Sequence, residues 1–319
     1  IAKDSQFLAS YSELELIAGE GDISGPALAL AACGYSSLHQ AFLEEYDDAD
    51  IIIHDSPFTI GYDLLAGLDS KLRIYNAYND EAALYQQLHA ASGAERINNI
   101  VCAAENRLLQ VADIVCYCNE NDLASFRQRM PDAQFEACYL PNGMTPILSV
   151  RPALPQERPR AVFMGSQHLP NVQAAKFIVE ELAPRLPHVS FDIIGECLPA
   201  GRYAANVVRH GCVSNREKSQ LLQNAAIALN PMGSGSGSNI KVFEYFSFGL
   251  PVLSTSFGMR GVLAVAGQHY VQAARNDFSD KLLQLLASPE QCKALGQAGL
   301  DLADENYTWA AVVQSLLGR

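Results

Sequence analysis

Short apolar runs alternate along the chain with longer amphipathic stretches, a pattern typical of βα units and a parallel sheet. The apolar runs predict strands over residues 49–54, 71–76, 113–118, 135–140, 160–164, 189–194, 207–210, 226–231 and 250–254. The amphipathic stretches predict helices over residues 80–103, 120–129, 172–186, 215–224 and 240–248. The sequence therefore predicts an α/β protein.

A proline-rich segment divides these elements into two groups. Residues 145–160 contain four prolines and little periodicity, which is typical of a linker. We therefore predict a first domain over residues 1–148, a linker over 149–160, a second domain over 161–304 and a terminal helical segment over 305–319. Residues 1–48 match no pattern that we can assign. We expect the first domain to be incomplete at its start and the natural protein to extend upstream of Ile1.

Composition and charge narrow the choice of partners. The 319 residues are 49% hydrophobic and 18% charged, which suits two globular domains. Residues 1–150 hold 7 basic and 22 acidic side chains, whereas residues 151–319 hold 15 and 13. No basic stripe is present, so we expect no nucleic-acid partner and at most a peripheral membrane contact. The sequence shows no membrane-length apolar run and no leader, so we expect a cytoplasmic protein.

The cysteines do not form a recognisable metal or disulfide pattern. Of the eight, only Cys116 and Cys118 lie close together, and on a strand they would point to opposite faces. No pair has zinc-ligand spacing, and no Asp-x-Asp or Ser-His-Asp pattern stands out. We predict reduced cysteines that act as small core residues, and no bound metal.

Alternating glycine and serine at residues 233–238 form the most informative segment. Because this loop joins a predicted strand to a predicted helix, its amides would point outward at a positive helix end, where a diphosphate fits. The loop is neither a P-loop nor a Gly-x-Gly-x-x-Gly motif, and a flexible linker is the alternative. The apolar flanks favour the binding loop. The candidate ligand-binding residues are Gly235, Ser236, Gly237, Ser238 and Asn239.

Lys241 and Glu244 lie three residues apart on one face of the predicted helix that follows. They could form an ion pair on a solvated surface. Alternatively, Lys241 could contact a phosphate while Glu244 accepts hydrogen bonds from the two ribose hydroxyls of a nucleotide. Spacing alone favours the ion pair.

An ordered series of short motifs over roughly residues 70–315 resembles the family-4 glycosyltransferases, which are retaining enzymes of the GT-B fold. The matching segments are residues 75–81, 141–144, 163–166, 170–171, 193–195, 210–213, 233–244, 248–252, 258–261 and 307–309. The resemblance implies two Rossmann-like domains that face each other across a cleft, with a C-terminal helix that crosses back to the first domain. It also implies a nucleotide-sugar donor on the second domain and an acceptor in the cleft.

The resemblance assigns donor-side roles to particular residues. Glu244 would hold the ribose as the second carboxylate of the family's Glu-x₇-Glu motif, and Ser236 stands where the first carboxylate would be. The family's usual Arg and Lys after the first strand of the second domain are also absent. Lys241 and Arg260 are therefore the candidate phosphate cations. The loop that replaces them supplies three further donor-binding candidates: Gly165, Ser166 and His168. For His168, a purely structural role is the alternative.

In the first domain, Tyr78 replaces the histidine of the family motif. A tyrosine can hydrogen-bond a sugar hydroxyl but does not titrate near neutral pH. Together with Lys241 and Glu244, Tyr78 completes our set of catalytic candidates. We expect Asn171 to cap a helix and to do nothing chemical. For Asp55 we favour a turn-forming role over a contact with the acceptor.

The activity implied by the resemblance is transfer of a sugar from a nucleotide diphosphate, UDP or GDP, to an acceptor hydroxyl with retention of the anomeric configuration. We expect the acceptor to be a carbohydrate, glycolipid or glycosylated peptide, and no metal or other cofactor. A homo-oligomer is compatible with the sequence. One alternative is a non-catalytic partner subunit that binds sugar nucleotides, which Ser236 and Tyr78 favour. A nucleotide-sugar 2-epimerase is the other, and the motif order argues against it.

Overall fold

The computed structural model describes residues 36–64, 66–89, 95–145, 158–235 and 237–317. The chain divides into two compact units, Ile1–Leu140 and Pro141–Arg319. Most of the predicted linker, residues 149–157, lies outside the described residues.

The first unit contains a four-stranded parallel sheet with the strand order β1-β2-β3-β4. The strands are β1 (Ile51–His54), β2 (Leu72–Ala77), β3 (Ile114–Tyr117) and β4 (Glu136–Tyr139). The helices are α1 (Ser36–Asp48), α2 (Glu81–His89), α3 (Glu95–Val111) and α4 (Glu120–Arg129). All four strands are at the predicted places. The helix predicted over residues 80–103 is instead two helices, and α1 falls in a segment to which the sequence assigned no element.

Asp63, Arg73 and His54 form a buried polar cluster in the first unit, in which each side chain has a partner. The Oδ2 atom of Asp63 lies 2.9 Å from Nη2 of Arg73 and 3.0 Å from Nε2 of His54, and all three side chains are buried. Burial raises the pKa of Asp63, but the hydrogen bonds and charges of His54 and Arg73 outweigh it and hold the pKa below its usual value. This cluster fixes the end of β1 against β2.

The second unit contains a six-stranded parallel sheet with the strand order β10-β9-β8-β5-β6-β7. Its strands are β5 (Arg160–Met164), β6 (Ser190–Ile194), β7 (Val207–Gly211), β8 (Ile227–Asn230), β9 (Val252–Ser254) and β10 (Val271–Gln272). Its helices are α5 (Leu169–Phe177), α6 (Ala183–Arg185), α7 (Asn215–Asn224), α8 (Ile240–Ser247), α9 (Phe278–Leu286), α10 (Pro289–Asn306) and α11 (Trp309–Leu317). The predicted strands are confirmed, whereas β10, α9 and α10 were not predicted.

The start of α5 differs from the prediction. His168, not Asn171, is the N-cap residue, and the carbonyl of His168 accepts hydrogen bonds from the amides of Asn171 and Val172. A π-helical turn, Ile178–Leu182, separates α5 from α6. The prediction that Asn171 caps a helix is therefore wrong, because the helix begins at Leu169 and places Asn171 within its first turn.

The order of the second sheet reverses between β5 and β8. From β5 the chain proceeds outward to β6 and β7, and it then returns to the other side of β5 to form β8, β9 and β10. In open parallel sheets, ligands bind outside the carboxyl ends of the strands at such a reversal. We therefore expect a ligand-binding site at the loops that follow β5 and β8. No described helix is long and apolar enough to span a bilayer.

We expect Gly296→Ala to destabilise the second unit. A Cβ atom at Gly296 would lie 2.3 Å from the carbonyl oxygen of Gly249, so α10 would have to move away from the backbone that follows α8. Overpacking against a backbone costs about 1–3 kcal/mol, which exceeds the gain of roughly 1 kcal/mol or less in helix propensity. Urea unfolding should show a net loss of stability, whereas exposed Gln297→Ala should change it by less than about 0.5 kcal/mol. An unchanged midpoint for Gly296→Ala would contradict the close packing.

Candidate functional site

The loop after β5 and the loop after β8 meet at the reversal in strand order. The amide of Gly165 donates to the carbonyl of Ile194 at 3.0 Å, which holds the first loop against the end of β6. A Cβ atom at Gly195, whose φ is +93°, would lie 2.1 Å from the carbonyl oxygen of Gly165. The two backbones can approach this closely only because position 195 is glycine.

Lys241, in the first turn of α8, reaches across to the loop that follows β5. Its Nζ donates to Oδ1 of Asn171 at 2.6 Å and lies 5.0 Å from the centre of the Phe163 ring. Asn171 is thus a candidate site residue that the sequence did not reveal, although its position in the first turn of the helix that follows β5 offered a signal. Among the described residues, no carboxylate forms an ion pair with Lys241.

Arg260 adds a second positive charge beside the glycine-serine loop. Its guanidinium stacks at 4.8 Å on the Phe257 ring, and its Nη2 atom would lie 2.6 Å from a Cβ placed on Gly235. Burial, followed by the charge of Arg260, lowers the pKa of Lys241 to about 7. Two cations therefore converge at the start of α8.

The loop itself is held by polar contacts from both flanks. Oγ of Ser234 donates to Gln173 on α5 at 3.2 Å, and Oγ of Ser238 accepts from Nδ2 of Asn142 at 2.6 Å. Gly233 is exposed and Gly235 is half-buried, whereas Gly237 is buried. Ser236 lies outside the described residues. The first half of the loop, around Gly233, is therefore its most exposed part.

Asn239, a predicted ligand residue, has a structural role instead. Its amide donates to the carbonyl of Arg260, and its side chain donates to Oδ1 of Asn230 at 3.1 Å and to the carbonyl of Gly258 at 2.9 Å. Asn239 and Asn230 are both buried. These contacts tie the start of α8 to the segment that carries Arg260.

Glu244 pairs with Lys218 of α7, not with Lys241. Its Oε1 lies 2.6 Å from the Nζ of Lys218, and both side chains keep about a quarter of their surface exposed (26% and 29%). The surface ion pair between Lys241 and Glu244, which spacing alone favoured, is therefore not formed between these two described residues. The carboxylate is held by this ion pair and stays partly accessible to solvent.

The predicted residues of the loop after β5 lie beside the lysine. Oγ of Ser166 accepts a hydrogen bond from Nδ2 of Asn171 at 3.2 Å, so the amide of Asn171 links Ser166 to Lys241. A Cβ atom at Gly165 would lie 2.8 Å from Cβ of Asn171. The side chain of His168 is exposed at the carboxyl edge of the sheet and makes no capping contact.

Tyr78 lies in the first unit, at the carboxyl end of β2. Its hydroxyl donates to Oδ1 of Asp55 at 3.3 Å and accepts from Nδ2 of Asn76 at 2.9 Å. Burial and the charge of Asp55 raise the pKa of Tyr78, so its hydroxyl remains protonated. The expected turn role of Asp55 belongs instead to Ser56, whose Oγ accepts the amide of Phe58.

Cys197, whose thiol feels the charge of Lys241, does not offer a reactive thiolate. Burial raises the pKa of Cys197 to about 11 despite the nearby charges of Lys241 and Arg209, so its thiol stays protonated. No group of three or more His, Cys, Asp or Glu residues in the described part of the chain could hold a metal ion. A partly buried positive pocket in the second unit is what the arrangement offers, and an anionic ligand is its natural occupant.

Comparison with known proteins agrees with the fold and with the family resemblance. Residues 170–318 match a family described as glycosyl transferase-like. Sucrose-phosphate synthase from Thermosynechococcus elongatus is similar over 88% of this chain and 76% of its own, with 14% identity and a TM-score of 0.71. HepE from Anabaena, solved with UDP, is similar over 88% and 81%, with 11% identity and a TM-score of 0.69. No curated protein matches the sequence.

TarM from S. aureus is a third structural neighbour, with 14% identity and a TM-score of 0.63. The similarity covers 84% of this chain but only 54% of TarM. At these identities the similarity shows the fold alone. The predicted GT-B fold and the glycosyltransferase resemblance are thereby confirmed, the latter by the family match over residues 170–318.

We expect Lys241→Met to stabilise the protein at low pH. Because the pKa of Lys241 is lowered in the folded state, the unfolded chain binds the extra proton between about pH 7 and the ordinary lysine value, and wild-type stability rises with pH there. The stability of the wild type relative to Lys241→Met should therefore rise between pH 6 and pH 9. Partial solvent access limits this change to about 1–2 kcal/mol.

The measurement is urea unfolding of both proteins at several pH values, with exposed Lys293→Met as the matched control. The control should differ from the wild type by a constant amount. A constant difference for Lys241→Met as well would show that Lys241 carries no burial penalty.

Proposed function

We propose that this protein is a glycosyltransferase that binds a nucleotide-diphosphate sugar in its second unit and transfers the sugar to an acceptor hydroxyl. The observation that carries the proposal is the convergence of Lys241, Arg260 and the start of α8 at the reversal point of the sheet. These groups supply positive charge and hydrogen-bond donors, which a diphosphate requires. The family match over residues 170–318 supports the same activity.

Structural neighbours favour a uridine nucleotide. HepE from Anabaena has been solved with UDP and with UDP-glucose. We therefore propose UDP as the first base to test and GDP as the second. Gly235 would lie against the diphosphate, because the backbone there is accessible and Arg260 stands beside it.

Glu244 would hold the ribose. A carboxylate can accept one hydrogen bond from each hydroxyl of a vicinal diol, and Glu244 is both held in place and partly exposed. Its ion pair with Lys218 is made through Oε1 and holds the carboxylate in place. Asn171 would act through Lys241 by holding its Nζ in place.

The proposed reaction retains the anomeric configuration. As the bond from the anomeric carbon to the diphosphate oxygen breaks, negative charge develops on the leaving group, and Lys241 and Arg260 stabilise it. The acceptor hydroxyl attacks on the same face and passes its proton to a phosphate oxygen. This arrangement requires no metal ion, because protein cations neutralise the leaving group. We propose a carbohydrate, glycolipid or glycosylated peptide as the acceptor.

We predict that loss of either donor-site charge weakens binding of UDP-glucose or the corresponding GDP-sugar. Lys241→Met and Glu244→Ala should each reduce affinity about tenfold or more, since a charged hydrogen bond contributes roughly 1.5–3 kcal/mol. Calorimetry or ligand-observed NMR would measure the dissociation constant of the donor. Exposed Lys293→Met and Glu290→Ala are matched controls and should bind like the wild type. Unchanged affinity in both site variants would show that the donor does not contact Lys241 or Glu244.

The affinity should also fall as the pH rises above about 7. UDP-glucose has no terminal phosphate that titrates near neutral pH, so the change would report the loss of the proton from Lys241. Lys241→Arg, which stays protonated, should flatten the profile. A wild-type profile that is flat between pH 6.5 and pH 8.5 would show that Lys241 does not contact the phosphates.

Slow hydrolysis of the donor tests the reaction itself. We expect the sugar first released from an α-linked donor to be the α anomer, as NMR spectra recorded before mutarotation would show. Release of the β anomer would establish inversion. In deuterated water the recovered donor should carry no deuterium, whereas a 2-epimerase would introduce it. Donor binding without hydrolysis or transfer to any acceptor would instead indicate a non-catalytic partner subunit.

A further inference from the structure

Two cysteines that are distant in the chain lie directly opposite each other in the first unit. Cys116 of β3 and Cys138 of β4 are Cα partners in the register of these two parallel strands. Neighbouring strands lie about 4.8 Å apart, and a disulfide requires Cα atoms roughly 4.4–6.8 Å apart. The next pair in the register, Tyr117 and Tyr139, has ring centroids 5.7 Å apart, so paired side chains of these strands lie side by side.

Both thiols lie on the same face of the sheet. Val115 and Ala137, one residue earlier in each strand, pack in the apolar core of the first unit. Because successive side chains of a strand point to opposite faces, Cys116 and Cys138 both point away from that core. The two sulfur atoms are therefore neighbours on one side of the sheet, and both cysteines are reduced in the structure.

Cys118, the other cysteine next to β3, is directed towards a different strand. Its thiol donates to the carbonyl of Tyr78 at 3.1 Å, just beyond the end of β2. The register of the sheet gives Cys116 a cysteine partner only on β4. Cys116 and Cys138 are therefore the pair that the fold brings together.

The position of β4 gives reagents access to one member of the pair. In the four-stranded sheet that the structure describes, β4 is an outer strand and β3 is an inner one. Cys138 accordingly keeps 9% of its surface exposed and Cys116 keeps 6%. A thiolate must reach its reagent in order to react, so Cys138 is the residue that reacts first and Cys116 is the one that follows.

We propose that Cys116 and Cys138 form a redox-active dithiol, which low-molecular-weight disulfides of the glutathione class oxidise to a disulfide between β3 and β4. The Cys138 thiolate attacks one sulfur of oxidised glutathione, a mixed disulfide forms, and one glutathione leaves. The Cys116 thiolate then attacks the Cys138 sulfur, and the second glutathione leaves. Two protein thiols are oxidised, one glutathione disulfide is reduced to two thiols, and the two protons pass to the glutathione sulfurs.

The geometry makes this modification reversible. A disulfide requires Cβ atoms about 3.5–4.5 Å apart, which is closer than the strand spacing of about 4.8 Å. Closing the bond would therefore pull β3 and β4 together and strain the hydrogen-bonded ladder between them. Strained disulfides are reduced more easily than relaxed ones, so we expect reduced glutathione to reopen the bond.

The test is peptide mapping by mass spectrometry of the reduced full chain after exposure to oxidised glutathione, with the remaining thiols blocked by iodoacetamide. We expect a peptide pair joined through Cys116 and Cys138, and loss of that link when reduced glutathione is added. In Cys116→Ala, glutathione should remain on Cys138, because no second thiol displaces it. Cys102→Ala and Cys292→Ala, which change partly buried cysteines of α3 and α10, are the matched controls and should form the link like the wild type. Circular dichroism confirms that each variant is folded.

Exposed Cys212 is the internal standard, because it should take up glutathione in every sample. If Cys212 is modified and no link between Cys116 and Cys138 forms, the two cysteines are packing residues only and the proposal fails. It also fails if the link forms only in urea, or if glutathione accumulates on Cys138 of the wild type, because the native fold then does not bring the thiols together. These outcomes need only the wild type, and none of them bears on the donor site.

Discussion

The reversal of strand order between β5 and β8 is the constraint on which the candidate donor site depends. At this point the chain leaves neighbouring strands in opposite directions, so no crossover connection covers their carboxyl ends. The loops after β5 and β8 remain side by side there. Lys241 and Asn171, which are 70 residues apart in the chain, can meet at 2.6 Å for this reason alone.

Positive charge at this point is costly for the folded protein. Lys241 is partly buried close to Arg260, and both effects act against its protonated form. A lysine retained only for stability would be expected to have a carboxylate partner, as Arg73 has in Asp63. Lys241 instead contacts the neutral oxygen of Asn171. A bound anion would remove the penalty, which links the electrostatics of the pocket to the chemistry of its ligand.

The two units differ in what they offer to a ligand. The pocket of the second unit presents cations and the start of a helix, whereas the group of Asp55, Asn76 and Tyr78 in the first unit presents hydrogen-bond acceptors and an aromatic ring. The net charge of the sequence differs in the same sense, because residues 1–150 are acidic and the remainder is nearly balanced.

The sequence by itself determined most of the element types and the position of the glycine-serine loop, because apolar periodicity and glycine act locally. It placed β5, α4 and α7 at their observed bounds, and it predicted a ligand contact for Lys241 from its place after the glycine-serine loop. It could not determine which side chains meet. Glu244 pairs with Lys218, Asn171 holds Lys241, and Asp55 joins Tyr78 only because strand order and helix packing bring distant segments together. Those contacts depend on tertiary structure, so the spacing of the residues along the chain does not predict them.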